Sequence, residues 1–320
     1  MRLLAVAALS VLLSGCTVGE LLGLKPFEPN RSNPQVERLA KEVMQPPRQS
    51  AADLLAQGDR LRDTGEVAQA ALSYLKAMRL DPSLQAPGER IGFLHLARGD
   101  AEHAEAMFIG VLKTAPDSPP ALVGRGLAQL RKRDLEGARV SLERALEVDP
   151  TSGLAAQAMG LLCDWTDRPE EARRYYSRAL ELAPVDADAE NNLGVSYFLS
   201  GEHARAAEHL RRAVQLEPRD AAYRNNLALA LCELGSFDDA LAHFRAAATE
   251  SVAQNNLGYV HYRRGDYPAA IQHYELALGA APADPLPIIR NLRRAQDDME
   301  RSSAAPPAEA PVAEPIAPAP

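Results

Sequence analysis

NNLGVSYFLSGEHARAAEHL, residues 191–210, is followed by NNLALALCELGSFDDALAHF at 225–244 and by NNLGYVHYRRGDYPAAIQHY at 255–274. Each stretch opens with an amide pair and a leucine, carries a glycine at its middle (Gly201, Gly235, Gly265) and closes on Leu210, Phe244 or Tyr274. On either side of the glycine the apolar residues recur at intervals of three and four, the spacing of an amphipathic helix. The glycine is the residue that can take the left-handed conformation at a helix end. Three copies of one helical hairpin mean a repeat, and the repeat has to be framed before any residue in it is given a role.

Prolines supply the frame. Pro82, Pro116, Pro150, Pro184 and Pro218 follow one another at 34-residue intervals, and Pro282 comes 64 later. With each proline set at position 32, repeats begin at Ala51, Gln85, Pro119, Gly153, Ala187, Ala221 and Ser251. Position 20 is then alanine in all seven: Ala70, Ala104, Ala138, Ala172, Ala206, Ala240 and Ala270. Position 8 is Gly58, Gly92, Gly126, Gly160, Gly194, Ala228 and Gly258, and position 24 is Tyr74, Phe108, Leu142, Tyr176, Leu210, Phe244 and Tyr274. Over residues 51–282 this pattern resembles the tetratricopeptide repeat (TPR) family. The resemblance implies an all-α fold, a right-handed superhelical solenoid of about seven helix–turn–helix repeats.

Small residues at positions 8 and 20 let antiparallel helices approach closely, and the large residue at 24 is expected to fill the space between neighbouring repeats. Proline ends the second helix, because the residue before it is steered away from the α region. Gly65, Gly99, Gly201, Gly235 and Gly265 hold the turn position. Repeats three and four carry Arg133 and Asp167 there and are expected to turn less regularly. The sixth repeat lacks its proline and four residues, close to one helical turn. That predicts a shortened second helix and a local change of superhelical pitch. Residues 283–301 (Ile288, Ile289, Leu292, Ala295 and Met299 at helical spacing) read as a helix capping the array. Residues 302–320 read as a disordered Pro/Ala-rich tail.

Composition agrees with close-packed helices. Apolar residues make up 46% of the 320 but aromatics only 5%, too few for a β-sandwich. The formal charge of −8 comes with no basic block. Arg131-Lys132-Arg133-Asp134, the densest basic cluster, reads as a solvated corner, and no nucleic-acid face is expected. Ahead of the repeats, Met1-Arg2 precedes an apolar run, Leu3–Leu13, too short for a permanent membrane span. Leu13-Ser14-Gly15-Cys16 resembles the lipobox of bacterial lipoproteins. This implies a signal peptide over 1–15, lipidation of Cys16 and a tether over 16–50, with a short helix at about 34–44. Thr17, by the sorting rule of such lipoproteins, implies the periplasmic face of the outer membrane. Cys163 and Cys232 lie two repeats apart and read as small buried apolar residues rather than a disulfide or metal pair.

TPR proteins line their concave side with first-helix positions 2, 5, 9 and 12. Carried onto this chain, these are Asn191, Val195 and Phe198, then Asn225, Leu229 and Cys232, then Asn255, Tyr259 and Tyr262. An amide side chain offers two donors and an acceptor, so a row of amides suits the backbone of an extended peptide. The expected peptide groove comprises Asn191, Asn192, Phe198, Asn225, Asn226, Asn255, Asn256, Tyr259 and Tyr262. Asn192, Asn226 and Asn256, at position 6, have a structural alternative in holding helix to helix. The first four repeats have no such pair, so an amide floor is confined to repeats five to seven. The seven histidines are scattered, no Walker loop or HExxH occurs, and no catalytic residue, metal, cofactor or small-molecule substrate is expected.

Lipobox, TPR array and NNLG-type repeats together resemble the assembly lipoproteins of tight-adherence (Flp-type) and type IV pili. The resemblance implies a scaffold for protein or peptide partners, such as a secretin or pilus-assembly component, with the membrane held through the N-terminal lipid. A periplasmic TPR adaptor for cell-wall hydrolases or proteases is the alternative.

Overall fold

A computed structural model describes residues 49–304. The expectations for the signal peptide, Cys16, the tether and residues 305–320 lie outside the described residues. Among the described residues there are fifteen helices and no strand. The chain divides into two compact halves after Ser196. The N-terminal half holds four hairpins: α1 (Ala51–Asp63) with α2 (Val67–Leu80), α3 (Ala86–Ala97) with α4 (Ala101–Thr114), α5 (Pro119–Arg131) with α6 (Leu135–Val148), and α7 (Gly153–Trp165) with α8 (Pro169–Leu182). The division falls inside α9 (Ala187–Leu199). The C-terminal half continues with α10 (His203–Leu216), the hairpins α11 (Ala221–Glu233) with α12 (Phe237–Ala247) and α13 (Glu250–Arg263) with α14 (Tyr267–Gly279), and a last helix, α15 (Leu286–Ala304). This is the all-α helical-hairpin solenoid that the sequence predicts. Ser302–Ala304, assigned to the tail on sequence, continue α15.

Short polar side chains start the helices. Ser50 and Asp53 form a reciprocal capping box on α1. Ser118 and Ser152 accept from the backbone at the starts of α5 and α7, and Asp100, Asp134 and Asp266 do so at α4, α6 and α14. Each such cap contributes about 1 kcal/mol.

All seven position-20 alanines are 0% exposed. The glycines at position 8 serve close approach and also make room for the position-24 side chain: a methyl on Gly126 or Gly258 would stand 3.5 or 3.2 Å from the backbone oxygen of Ala138 or Ala270. A methyl built on Gly92 would come within 2.6 Å of the Phe108 ring, and at Gly58 and Gly160 it would overlap the rings of Tyr74 and Tyr176. The position-24 side chain covers the glycine of its own hairpin and also packs against the next repeat, as expected: Tyr74 clusters with Ile91 and Leu94, and Leu142 with Ala155, Ala158 and Leu162. Phe108 reaches both ways, since a methyl on Gly124 of the next first helix would also strike its ring.

The turns of repeats three and four are as regular as the others. Arg133 (φ 66) and Asp167 (φ 58) adopt the left-handed conformation of Gly65 (φ 83) and Gly99 (φ 77). Arg133 N donates to Leu130 O (2.9 Å) and Asp134 N to Gln129 O (2.9 Å), the pattern made by Gly99 N to Leu96 O (3.0 Å) and Asp100 N to His95 O (2.9 Å). The two hydrogen bonds that close the helix end outweigh a left-handed penalty of about 1–2 kcal/mol. In the sixth repeat α12 has 11 residues where α10 has 14. The shortened junction is spanned by a bidentate ion pair, Arg245 Nε and Nη2 to Glu250 Oε2 and Oε1 at 2.7 and 2.8 Å. On α15, Ile288 and Ala295 are buried against Ala270, Tyr274 and Ala277, with Leu292 packed beside them. Cys163 and Cys232 are both free and buried, and burial pushes the Cys232 thiol up to about 12.

Candidate functional site

The repeated amides of the sequence lie on the first helices of the hairpins. In the N-terminal half, position 5 is structural. Glu89 on α3 is 7% exposed and accepts from Ser118 Oγ at 2.6 Å, and Ser118 in turn caps α5. Gln157 Nε2 on α7 donates to Asp186 Oδ2 at 2.7 Å, while Asp186 Oδ1 accepts from Ala189 N at 2.9 Å on α9. These side chains tie each first helix to the start of the next repeat. Val123, the equivalent on α5, is 1% exposed. Asn191 and Asn192 on α9 are half-buried, and the amide of Asn191 lies 3.5 Å from Asn192 Oδ1, too long for a strong hydrogen bond.

The C-terminal half differs. Asn225 on α11 is half-buried, and its Oδ1 is cut off from solvent with no hydrogen-bond partner. Leu229, one turn on, is half-buried. Asn226 is 7% exposed, which suits the helix-holding role open to position 6. Asn256 remains half-buried on α13. Asn255 Oδ1 accepts from Asn291 Nδ2 of α15 at 3.1 Å. Tyr262 donates to Asp298 Oδ2 at 2.6 Å, and the Arg294 guanidinium stands 5.3 Å from its ring centroid. Burial, followed by the bond to Asp298, raises the Tyr262 hydroxyl above the usual tyrosine value. Tyr259 lies beside Tyr262, ring centroids 6.5 Å apart. Phe198 packs edge-on to His203 at 5.2 Å. The capping helix thus takes up Asn255 and Tyr262, while Asn225 and Tyr259 have no polar partner from it. Cys232, at position 12 of its repeat, is fully buried.

Several residues on the same helix faces escape a reading built on the amides. Phe93, Leu127 and Leu161 repeat at position 9, each half-buried. Asp164, at position 12 of α7, accepts from Tyr176 Oη and Ser196 Oγ, both at 2.9 Å. Burial pushes its carboxyl up to about 6 although both hydrogen bonds pull the other way. The repeat frame itself was the signal for it, since the TPR resemblance assigns position 12 to the groove. The basic corner is exposed but not idle. Arg131 Nη1 donates to Leu96 O at 2.6 Å, Lys132 Nζ meets Glu105 Oε2 at 2.7 Å, and Arg133 lies over Trp165 at 4.7 Å. The corner is exposed, as its reading as a solvated turn expects, and it is also tied to the neighbouring helices.

The tetratricopeptide-repeat family model matches residues 90–155, 166–221, 201–252 and 251–285, more than half of the chain. The chain belongs to the tetratricopeptide repeat family, whose fold is typically a non-catalytic scaffold that presents helix faces to protein partners. No curated protein matches it. Among solved structures it is similar to a tetratricopeptide repeat protein from Parabacteroides merdae, with 17% identity, TM-score 0.51, and 78% of this chain and 99% of that one covered. It is also similar to PilF of Pseudomonas aeruginosa (17% identity, TM-score 0.52, 68% and 98% covered). A third is PilW, a type IV pilus biogenesis factor (20% identity, TM-score 0.55, 66% and 98% covered). At these identities the likeness is one of fold. No helix among the described residues is long and apolar enough to cross a membrane.

Proposed function

We propose that this chain is an outer-membrane-anchored periplasmic TPR scaffold that holds an extended segment of a protein partner in pilus assembly or secretion. The observation that carries the binding role is the Asn225 carbonyl, buried and without a donor. Buried polar atoms are nearly always paired, and the equivalent side chains Glu89 and Gln157 are. Rotation of the half-buried Asn225 side chain brings its amide to the surface of α11, where a peptide backbone supplies the missing partner, with Leu229 giving apolar contact beside it. The anchor rests on Leu13-Ser14-Gly15-Cys16 and Thr17, and the pilus assignment on the resemblance of lipobox and NNLG-type repeats to pilus lipoproteins. PilW, described as a type IV pilus biogenesis factor, supplies a related scaffold at fold level.

Photo-crosslinking in cells from position 229, followed by pull-down from outer membranes, tests the partner. Recovery of a secretin or pilus-assembly component supports the proposal, and recovery of a cell-wall hydrolase or protease replaces it with the adaptor reading. Palmitate labelling tests the anchor: Cys16→Ala abolishes the label if Cys16 carries the lipid, and retained label removes the anchor from the account.

A further inference from the structure

The second hairpin gathers three side chains of metal-ligating type from the end of one helix and the start of the next. His95 sits in the last turn of α3, Asp100 is the N-cap of α4, and His103 lies in the first turn of α4. Gly99, at φ 77, reverses the chain between them. Asp100 Oδ2 lies 3.1 Å from His95 Nδ1, and Asp100 Oδ1 lies 2.8 Å from His103 Nδ1. The two imidazoles stack with centroids 5.5 Å apart and planes 21° apart. One ligand atom from each residue falls within 4.8 Å of the other two.

The seventh repeat holds a built-in comparison. His261 Nδ1 lies 3.1 Å from Asp266 Oδ2 at the same two frame positions, but Ala269 stands where His103 would be. The His–Asp pair is therefore a clasp across the turn that either hairpin can make for structural reasons. Only the second hairpin adds another imidazole on the remaining carboxylate oxygen. Two imidazoles beside one carboxylate are a donor set that suits a borderline divalent ion.

We propose that His95, Asp100 and His103 form a zinc site, with the remaining coordination left to water or to a partner's side chain. Zinc lies about 2.0–2.2 Å from imidazole nitrogen and carboxylate oxygen, so the three ligand atoms need only small adjustments around an ion placed between them. His103, with 73% of its side chain exposed, is free to make the larger share. On binding, the Nδ1 lone pairs of both imidazoles turn to the ion. The ion then pins the start of α4 to the end of α3.

The test uses untagged full-length protein stripped with a chelator, titrated with Zn²⁺ by calorimetry and with Co²⁺ by visible absorption. The expected result is one Zn²⁺ per chain and Co²⁺ bands of a low-symmetry site. His103→Ala leaves the Asp100 cap in place and weakens Zn²⁺ binding by at least about tenfold, the order seen when a metal site loses a supporting group. His261→Gln leaves it unchanged. No saturable binding, or the same affinity in His103→Ala, overturns the proposal.

Discussion

The two halves of the molecule use the same repeat position in opposite ways. In the N-terminal half, Glu89 and Gln157 spend their side chains on Ser118 and Asp186, so position 5 belongs to the joint between repeats. In the C-terminal half, the Asn225 carbonyl meets nothing and Asn255 is met by the capping helix. A polar residue in a repeat frame has no fixed meaning. What decides is whether the next repeat offers it a partner.

Substitutions in the two halves should differ in their effects. The largest effect is expected at the shared packing device. Gly160→Ala drives a methyl into the Tyr176 ring and should cost about 2–3 kcal/mol, despite a gain of about 1 kcal/mol in helix propensity. Gly258→Ala, where the nearest Tyr274 atom is 2.9 Å away, should cost about 1 kcal/mol. Equal losses on denaturant unfolding would mean that the halves pack alike at this position.

Next comes Asp164→Asn. The Asp164 carboxyl sits at about 6 in the folded chain, above its ordinary value of 3.8. The folded state therefore holds this proton more tightly, and stability from this group is fully present below the ordinary value and lost as pH rises through about 6. The amide, which carries no charge, should raise stability at pH 7 by about 2 kcal/mol and flatten the slope between these two pH values. An unchanged slope would place the carboxyl in water.

A direct contrast of the two halves follows. Gln157→Ala removes the bond to Asp186 and should cost about 1–2 kcal/mol, whereas Asn225→Ala removes an acceptor that has no partner and should change stability by less than about 0.5 kcal/mol. Equal costs would show that Asn225 is also structural. A small effect is also expected at the shortened sixth repeat. Glu250 is held at about 2, first by its bond from Arg245 and then by that from Gln254. Its folded value lies below the ordinary 4.5, so its contribution is present above that value and fades as pH falls toward about 2. Both partners are roughly half exposed, so Glu250→Gln should cost no more than about 1 kcal/mol in thermal melts at neutral pH.

Much of the fold was legible because it is local and periodic. Position 20 was alanine seven times, and all seven alanines are buried. The greasy spacing Ile288, Leu292, Ala295 did mark the inner face of α15. What escaped depended on contacts between segments. That Arg133 and Asp167 hold left-handed turns depends on the hydrogen bonds they complete, not on residue preference. That α15 engages Asn255 and Tyr262 follows from where a capping helix sits, which periodicity does not state. His95, Asp100 and His103 match no linear metal motif and meet only because α4 folds back on α3. Of the amides, the sequence identified the side chains but not their partners, so it could not separate Asn225 from Asn255.

The most direct test of the central claim is capture of the crosslinked partner by the full-length protein carrying Asn225→Ala, set against Gln157→Ala, with far-UV circular dichroism recorded on both. The account predicts that Asn225→Ala weakens capture at full helicity and unchanged stability, while Gln157→Ala lowers stability and leaves capture at native level under folded conditions. Undiminished capture by Asn225→Ala would contradict it.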